Sequence, residues 1–316
     1  MSVAARQRPR ARRPNALVRA WRSPLRRSFA RTPTAIIGAL ILLILVGGAV
    51  FAPLIATTDP YDLASLNLLD SRLPPIWVDG GMAPYILGTD SQGADVLSLI
   101  LYGMRTSLAV GVLAVMVSCS LGTFMGLIAG YVGGAVGGVI MRAADIQFTF
   151  PAILLALLIG GLGTTLLPAH LKAQLAMPIL VAALGLSHWP HFARLVRGAV
   201  LVEKTKDYVA AARLAGRGPF SIMARQILPN VTNAILVLMT LDIAFAVMGE
   251  ATLSFLGFGL PPTEPSLGTL IRTGYEYLFS GEWWLVIFPA LTLVLLVVSV
   301  NLVGDWLRDA LNPRLN

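Results

Sequence analysis

Residues 199–231 read AVLVEKTKDYVAAARLAGRGPFSIMARQILPNV. The segment is too polar to cross a bilayer, yet from Val200 to Leu214 its composition is helical, and Ala210, Ala211 and Ala212 form a small face that another surface can approach. Tyr208 stands just before that face. Gly216 suits a left-handed helix end, and Gly218-Pro219 restarts a helix with proline as its first residue. The second helix, about 219 to 227, spaces Phe220, Met223 and Ile227 three and four apart and stops near Pro229. An apolar stripe on a basic helix-turn-helix is costly to leave in water, which points to a docking element for a partner. The competing reading is a hairpin lying flat on a bilayer surface.

The sequence on either side of this segment reads as membrane. The chain has 316 residues, of which 56% are hydrophobic and 13% charged, with a mean hydropathy of +0.75. A bilayer-crossing helix needs roughly 20 mostly apolar residues. Six charge-poor stretches meet that length, at about 34–56, 106–130, 139–161, 176–193, 231–256 and 285–304. Lipid cannot satisfy loose backbone polar groups, so all six are expected to be helices and the fold class an all-α polytopic membrane protein. Cys119 is the single cysteine and lies in an apolar run, so neither a disulfide framework nor a Cys/His metal spacing is present.

Charge supplies the orientation. Of 24 Lys and Arg, nineteen fall in residues 1–34, 194–230 and 305–316, while the alternate segments 57–104, 162–175 and 257–284 hold one each, Arg72, Lys172 and Arg272. Positive short loops stay in the cytoplasm, so both termini and the 194–230 loop are expected there. The intervals are then a basic tail over 1–33, expected to be disordered, a first helix over 34–56, an outward segment over 57–104, a five-helix core over 105–304 and a cytoplasmic tail over 305–316. The charge is zoned, not spread along the chain as a nucleic-acid footprint would require. Arg26-Arg27 ahead of an apolar run imitates a twin-arginine export signal, but the run is long and five more spans follow.

Three acids fall inside the spans, where an ionisable group is a functional candidate by default. Asp145 lies three residues after Arg142 and is expected to pair with it near the helix end. Asp242 and Glu250 are eight residues apart, within roughly one 80° sector of the fifth span, and that sector should face the bundle interior or an aqueous cavity. Both are candidates for lining a translocation path. Fastening helices is the alternative, evenly matched for Asp242 and favoured for Glu250.

The run Asp207-Tyr208-Val209-Ala210-Ala211-Ala212-Arg213-Leu214-Ala215-Gly216, with Ile227-Leu228-Pro229-Asn230, resembles the "EAA" loop of ABC-transporter permeases. Four further stretches are similar to the dipeptide and oligopeptide branch: FAPLIA from Phe51 with Asp59-Pro60, LGTDSQGADVLS from Leu87, EATLSFLG from Glu250, and NLVGDWLRDALNPR from Asn301. The chain departs from that pattern at Ala210, where the family has an acid, at Gln226, where histidine is common, and at Ala94, where arginine is usual. The resemblance implies a six-helix type I ABC importer permease fold in a bacterial plasma (inner) membrane. It implies that residues 194–230 form the coupling helices, with Tyr208, Ala210, Ala211, Ala212, Gly216, Pro219, Phe220, Met223 and Pro229 at the contact with the ATPase. The implied partners are a second homologous permease subunit, two cytoplasmic ATP-binding subunits that hold ATP and Mg, and an extracytoplasmic substrate-binding protein, with lipid around the spans and no nucleic acid. The implied cargo is a short peptide, with nickel, glutathione or another small solute as the alternative.

Catalysis by the chain itself finds no support. No G-x-x-x-x-G-K-[ST] phosphate loop occurs, so no cofactor is expected in this chain and ATP must be hydrolysed elsewhere. Ser187 would need a histidine from a later helix to act as a nucleophile, and none follows His191. His188 and His191 alone make a weak metal set, and His188-Trp189-Pro190-His191 is read as the interfacial end of the fourth span. An ion-coupled carrier is the remaining alternative, drawing on Asp242 alone, but a self-powered carrier needs no docking loop.

Overall fold

The computed structural model describes residues 24–62, 66–261 and 263–311. The basic tail as far as residue 23 and the last residues of the C-terminal tail lie outside them. All regular structure among the described residues is helical: α1 (Pro24–Arg31), α2 (Pro33–Val50), α3 (Ala52–Ile55), α4 (Val96–Tyr131), α5 (Gly134–Phe148), α6 (Ala152–Leu166), α7 (Ala169–Glu203), α8 (Asp207–Leu214), α9 (Pro219–Ile222), α10 (Leu228–Phe255), α11 (Leu267–Tyr277) and α12 (Trp284–Leu311). Among the described residues, five helices are long and apolar enough to cross a membrane. The pair α5–α6 is apolar enough to count as a sixth when its two helices are taken together, but it is bent by 92° at the break, the geometry of a broken span or a re-entrant loop.

That bend corrects the continuous third span expected over 139–161. Pro151 disfavours helical backbone at Phe150 and supplies no N–H, so α5 ends and Pro151 becomes the cap from which α6 restarts, at φ −55 and ψ 131. The first helix also stops early, at Val50, where the chain turns through Phe51 into the short α3. Part of the expected tail is ordered as α1, and Phe29 packs edge-on against Trp306 at 5.0 Å.

The longest pair, α4 and α7, forms the spine. Gly122, Gly126 and Gly130 stand four apart on one face of α4, and a Cβ at each would come within 2.4 to 2.7 Å of Trp189 O, Ala193 O and Val200 Cβ of α7. Close backbone approach between small residues is the usual way helices associate in lipid, where no hydrophobic force acts between them. Around the spine, one buried cluster joins α4 and α7 with α10 and the polar hairpin through Val196, Val200, Val209 and Ile227. A second joins α2, α4, α11 and α12 through Met104, Leu267 and Leu296. Outward residues such as Leu43 and Ile44 are apolar and 70% and 63% exposed, the surface expected of a chain dissolved in lipid.

At one end of the bundle, residues 57–62 and 66–95 fold back over α11 and α12. Asp95 caps α4 by accepting Ser98 N and Ser98 Oγ, and it also accepts Thr57 Oγ1 at 2.9 Å. Trp284 Nε1 donates to Thr89 O, and Arg72 pairs with Glu282 at 3.7 Å. Asp90 holds the LGTDSQGADVLS loop by accepting Gln92 N and Ala94 N at 2.8 Å, and burial pushes its carboxyl above the usual range. The polar hairpin lies at the opposite end.

Candidate functional site

The hairpin is built by α8 and α9. Gly216 adopts φ +74 and ends α8 in a Schellman motif, with Arg217 N donating to Ala212 O and Gly216 N to Arg213 O. A Cβ at Gly216 would meet nothing, so the glycine answers to backbone angle rather than to packing. Gly218 then caps α9, and Pro219 lies in its first turn. The helix does not stop near Pro229. Met223–Ile227 is a π-helical turn that runs straight into α10, and Leu228 N donates to Met223 O. The wider turn absorbs the proline, whose missing N–H would otherwise break the α-helical ladder in place.

The two faces of the hairpin differ. Val209, Ala212, Ile222 and Ile227 are buried against α4, α7 and α10, with Met223 partly buried beside them. Leu214 and Phe220, flanking the Gly216 turn, are 90% and 73% exposed, and Ala210, Ala211 and Pro229 are exposed too. The expected Phe220–Met223–Ile227 stripe is therefore divided. Ile227 faces the core and Phe220 faces outward, because the π-turn shifts the helical phase between them. Sequence reading passed over Leu214, whose place on α8 carried no periodic signal.

Side chains strap the hairpin to the spans. Tyr208 Oη donates to the Glu203 carboxylate at the end of α7 and accepts Asn230 Nδ2 of α10 at 3.1 Å. Burial, and next the Glu203 carboxylate, push the Tyr208 phenol up to about 12. Lys204 Nζ donates to Gly130 O at 2.8 Å and so caps the end of α4, while the Arg213 guanidinium lies 5.3 Å from the Tyr131 ring centroid. The hairpin is thus tied to α4, α7 and α10 together.

Within the bundle, Asp242 and Glu250 both turn inward towards α4. Glu250 is fully buried; its Oε2 accepts Ser107 Oγ at 2.6 Å and its Oε1 accepts Ser254 Oγ at 2.7 Å, while Ser107 Oγ accepts Leu267 N of α11. Asp242 Oδ2 accepts Ser118 Oγ at 3.1 Å, and Asp242 Oδ1 lies 2.7 Å from His188 Nδ1. His188 is therefore mid-helix. The His-Trp-Pro-His stretch does not end the fourth span, since α7 continues through Pro190 to Glu203. The break costs little because Gln147 of α5 supplies what the proline removes: its Nε2 donates at 2.7 Å to Leu186 O, the carbonyl that Pro190 leaves unpaired, and its Oε1 accepts Trp189 Nε1. Asp145 pairs with Arg194 of α7 at 2.8 Å, not with Arg142. The bend after Phe148 and the contact of α5 with α7 bring Arg194 closer than the neighbour in sequence.

A cavity of about 450 Å³ opens beside His188 and Asp242, with walls from the start of α6, α7 and α10. A second, about 390 Å³, lies at the opposite end of the bundle from the hairpin, between Asp90, Tyr61 and α11. Among the described residues, no group of three or more His, Cys, Asp or Glu is placed to hold a metal.

Residues 122–316, which carry the spine, the cavity and the hairpin, match the family described as the binding-protein-dependent transport system inner membrane component. The chain belongs to that family. Residues 19–75 also match the N-terminal transmembrane domain of oligopeptide transport permease C. Among similar proteins is the di/tripeptide transport system permease DppC of Pseudomonas aeruginosa, 38% identical over 93% of each chain. The dipeptide transport system permease DppC of Escherichia coli K12 is 40% identical over 91% of each. An inward-facing structure of the MetNI methionine ABC transporter superposes with a TM-score of 0.53 at 19% identity, over 68% of this chain and 96% of that one. The permease is thus a multi-pass membrane protein with the type I ABC importer fold, and the family supplies transport subunits.

Proposed function

We propose that this permease forms half of a two-permease pore in an ATP-driven importer of short peptides. A separate ATP-binding subunit, carrying ATP and Mg, grips the α8–α9 hairpin from the cytoplasm, where both termini also lie. An extracytoplasmic binding protein delivers cargo to the 57–95 end. The single observation that carries the reading is the division of the hairpin: Leu214 and Phe220 stand in the open while Val209, Ala212 and Ile227 are locked into the bundle. Such a part converts motion of a docked partner into motion of spans, a rigid-body rearrangement of the alternating-access kind. Asp207, Arg213 and Arg217 are left to make the polar contacts that Ala210, in place of an acid, does not provide. The names of the similar permeases support peptides as cargo.

Uptake of labelled di- and tripeptides, beside nickel and glutathione, into vesicles holding the complete transporter tests this. ATP-dependent peptide uptake is expected with the full assembly and none with this permease alone, even under an imposed proton gradient. Uptake by the lone chain, or of nickel in preference to peptides, would defeat it.

A further inference from the structure

Asp242 and Glu250 stand two turns apart on α10, and the contrast between them locates a ligand contact. Glu250 is sealed, with both oxygens spent on serines, and is not among the residues lining the 450 Å³ cavity. Asp242 lines the 450 Å³ cavity together with His188 and His191, and no Lys or Arg is among the residues lining it. Apart from Thr252, the rest of that wall is apolar, including Leu184, Leu238, Phe245 and Met248. A cavity of this volume, apolar with a few convergent polar groups, is of the kind that takes a small molecule.

With Asp242 ionised and His188 neutral, the dyad has a defined polarity. An ionised Asp242 can only accept hydrogen bonds, and it accepts from Ser118 Oγ and His188 Nδ1. With its proton on Nδ1, the neutral imidazole keeps Nε2 as an acceptor, so carboxylate and ring together offer acceptors alone. A cationic N–H donor at the end of an apolar stem matches that wall: the protonated amino group of a lysyl side chain. Buried polar groups in lipid are retained where they face an aqueous cavity or a substrate path. We propose that the His188–Asp242 pair, backed by Ser118, is the contact in this permease for the protonated side-chain amino group of a lysyl residue in a passing short peptide. This rests on the peptide-importer reading above.

Uptake is compared in vesicles holding the complete transporter, with saturating binding protein and Lys-Ala, Ala-Ala or Asp-Ala as cargo. The same binding protein serves every variant, so a changed ratio between peptides arises in the permease. Asp242→Asn is expected to lower the maximal rate for Lys-Ala relative to Asp-Ala by about fivefold or more. His188→Gln should shift the ratio in the same direction, and Asp242→Glu should retain it. An unchanged ratio, or a uniform loss with all three peptides, overturns the proposal and leaves the pair a helix fastener. So does loss of the sister permease on purification of Asp242→Asn, unless His188→Gln assembles and still shifts the ratio. If the unmodified transporter moves no peptide with ATP, the importer reading itself has failed instead.

Discussion

Glu250 shows how one buried carboxylate can hold three helices. Ser107 of α4 donates to it while accepting Leu267 N from α11, and Ser254 adds a bond one turn along α10. Removing the carboxylate leaves two hydroxyls buried without their acceptor, a loss of about 2–4 kcal/mol. Glu250→Ala is expected to lower the unfolding temperature in detergent clearly, and Glu250→Gln, which keeps an acceptor, to lower it less; equal stability of all three proteins would remove the fastening role. Tyr208 makes a second residue-level case. Its pKa is raised to about 12, above the ordinary tyrosine value near 10, so the neutral phenol is the form favoured by folding. That contribution is whole below pH 10 and is lost as the pH climbs through 12. At neutral pH, Tyr208→Phe should free α8 from Glu203 and Asn230 and speed amide exchange over 207–217, with Asn230→Ala giving a smaller effect.

Helix pairing rests on steps of four residues and on prolines that are compensated. Gly126 lies where a Cβ would be 2.7 Å from Ala193 O, so α4 and α7 cannot keep their separation around a larger residue. Overpacking of this kind costs about 1–3 kcal/mol, and more where backbone must move. Gly126→Val is expected to reduce the yield of folded, monodisperse protein several-fold, whereas Gly138→Val, where a Cβ meets nothing, should leave it unchanged. The α5–α7 latch is subtler. Gln147→Leu would strip the acceptor and donor that serve Trp189 and Leu186 O, a change worth about 1 kcal/mol. Its expected signature is faster protease cleavage near the 149–151 break with little change in global unfolding.

Taken as a machine, the permease has a handle at one end, a polar dyad at mid-depth and a folded cap at the other end. The handle is stiff because its inner face is core and its turn is held by Gly216. Gly216→Pro, which cannot adopt φ +74, and Ala211→Arg, which adds bulk to the exposed face of α8, are each expected to abolish ATP-dependent uptake while the protein still inserts. Normal uptake by either variant would refute coupling through the hairpin. Leu214→Ala should weaken co-purification of the ATP-binding subunit without lowering thermal stability, since Leu214 buries almost nothing in this chain.

Much of this was open to reading before any fold was known. Long apolar runs must become helices in lipid, because their backbone bonds have to close within the segment. Gly216 and Pro219 announced a turn through local backbone angles alone, and the eight-residue interval put Asp242 and Glu250 on one side of α10 through helical periodicity. Partners across helices were a different matter. That Asp242 meets His188, that Asp145 meets Arg194 rather than Arg142, and that Gln147 repairs the gap at Pro190 each depend on how two helices are rotated and bent against one another. The GxxxGxxxG face of α4 was written in the chain but named no partner until α7 lay against it. Periodicity and turn chemistry act between neighbours along the chain, whereas the rotation of packed helices is settled by side chains interlocking from distant segments, and no single segment carries that information.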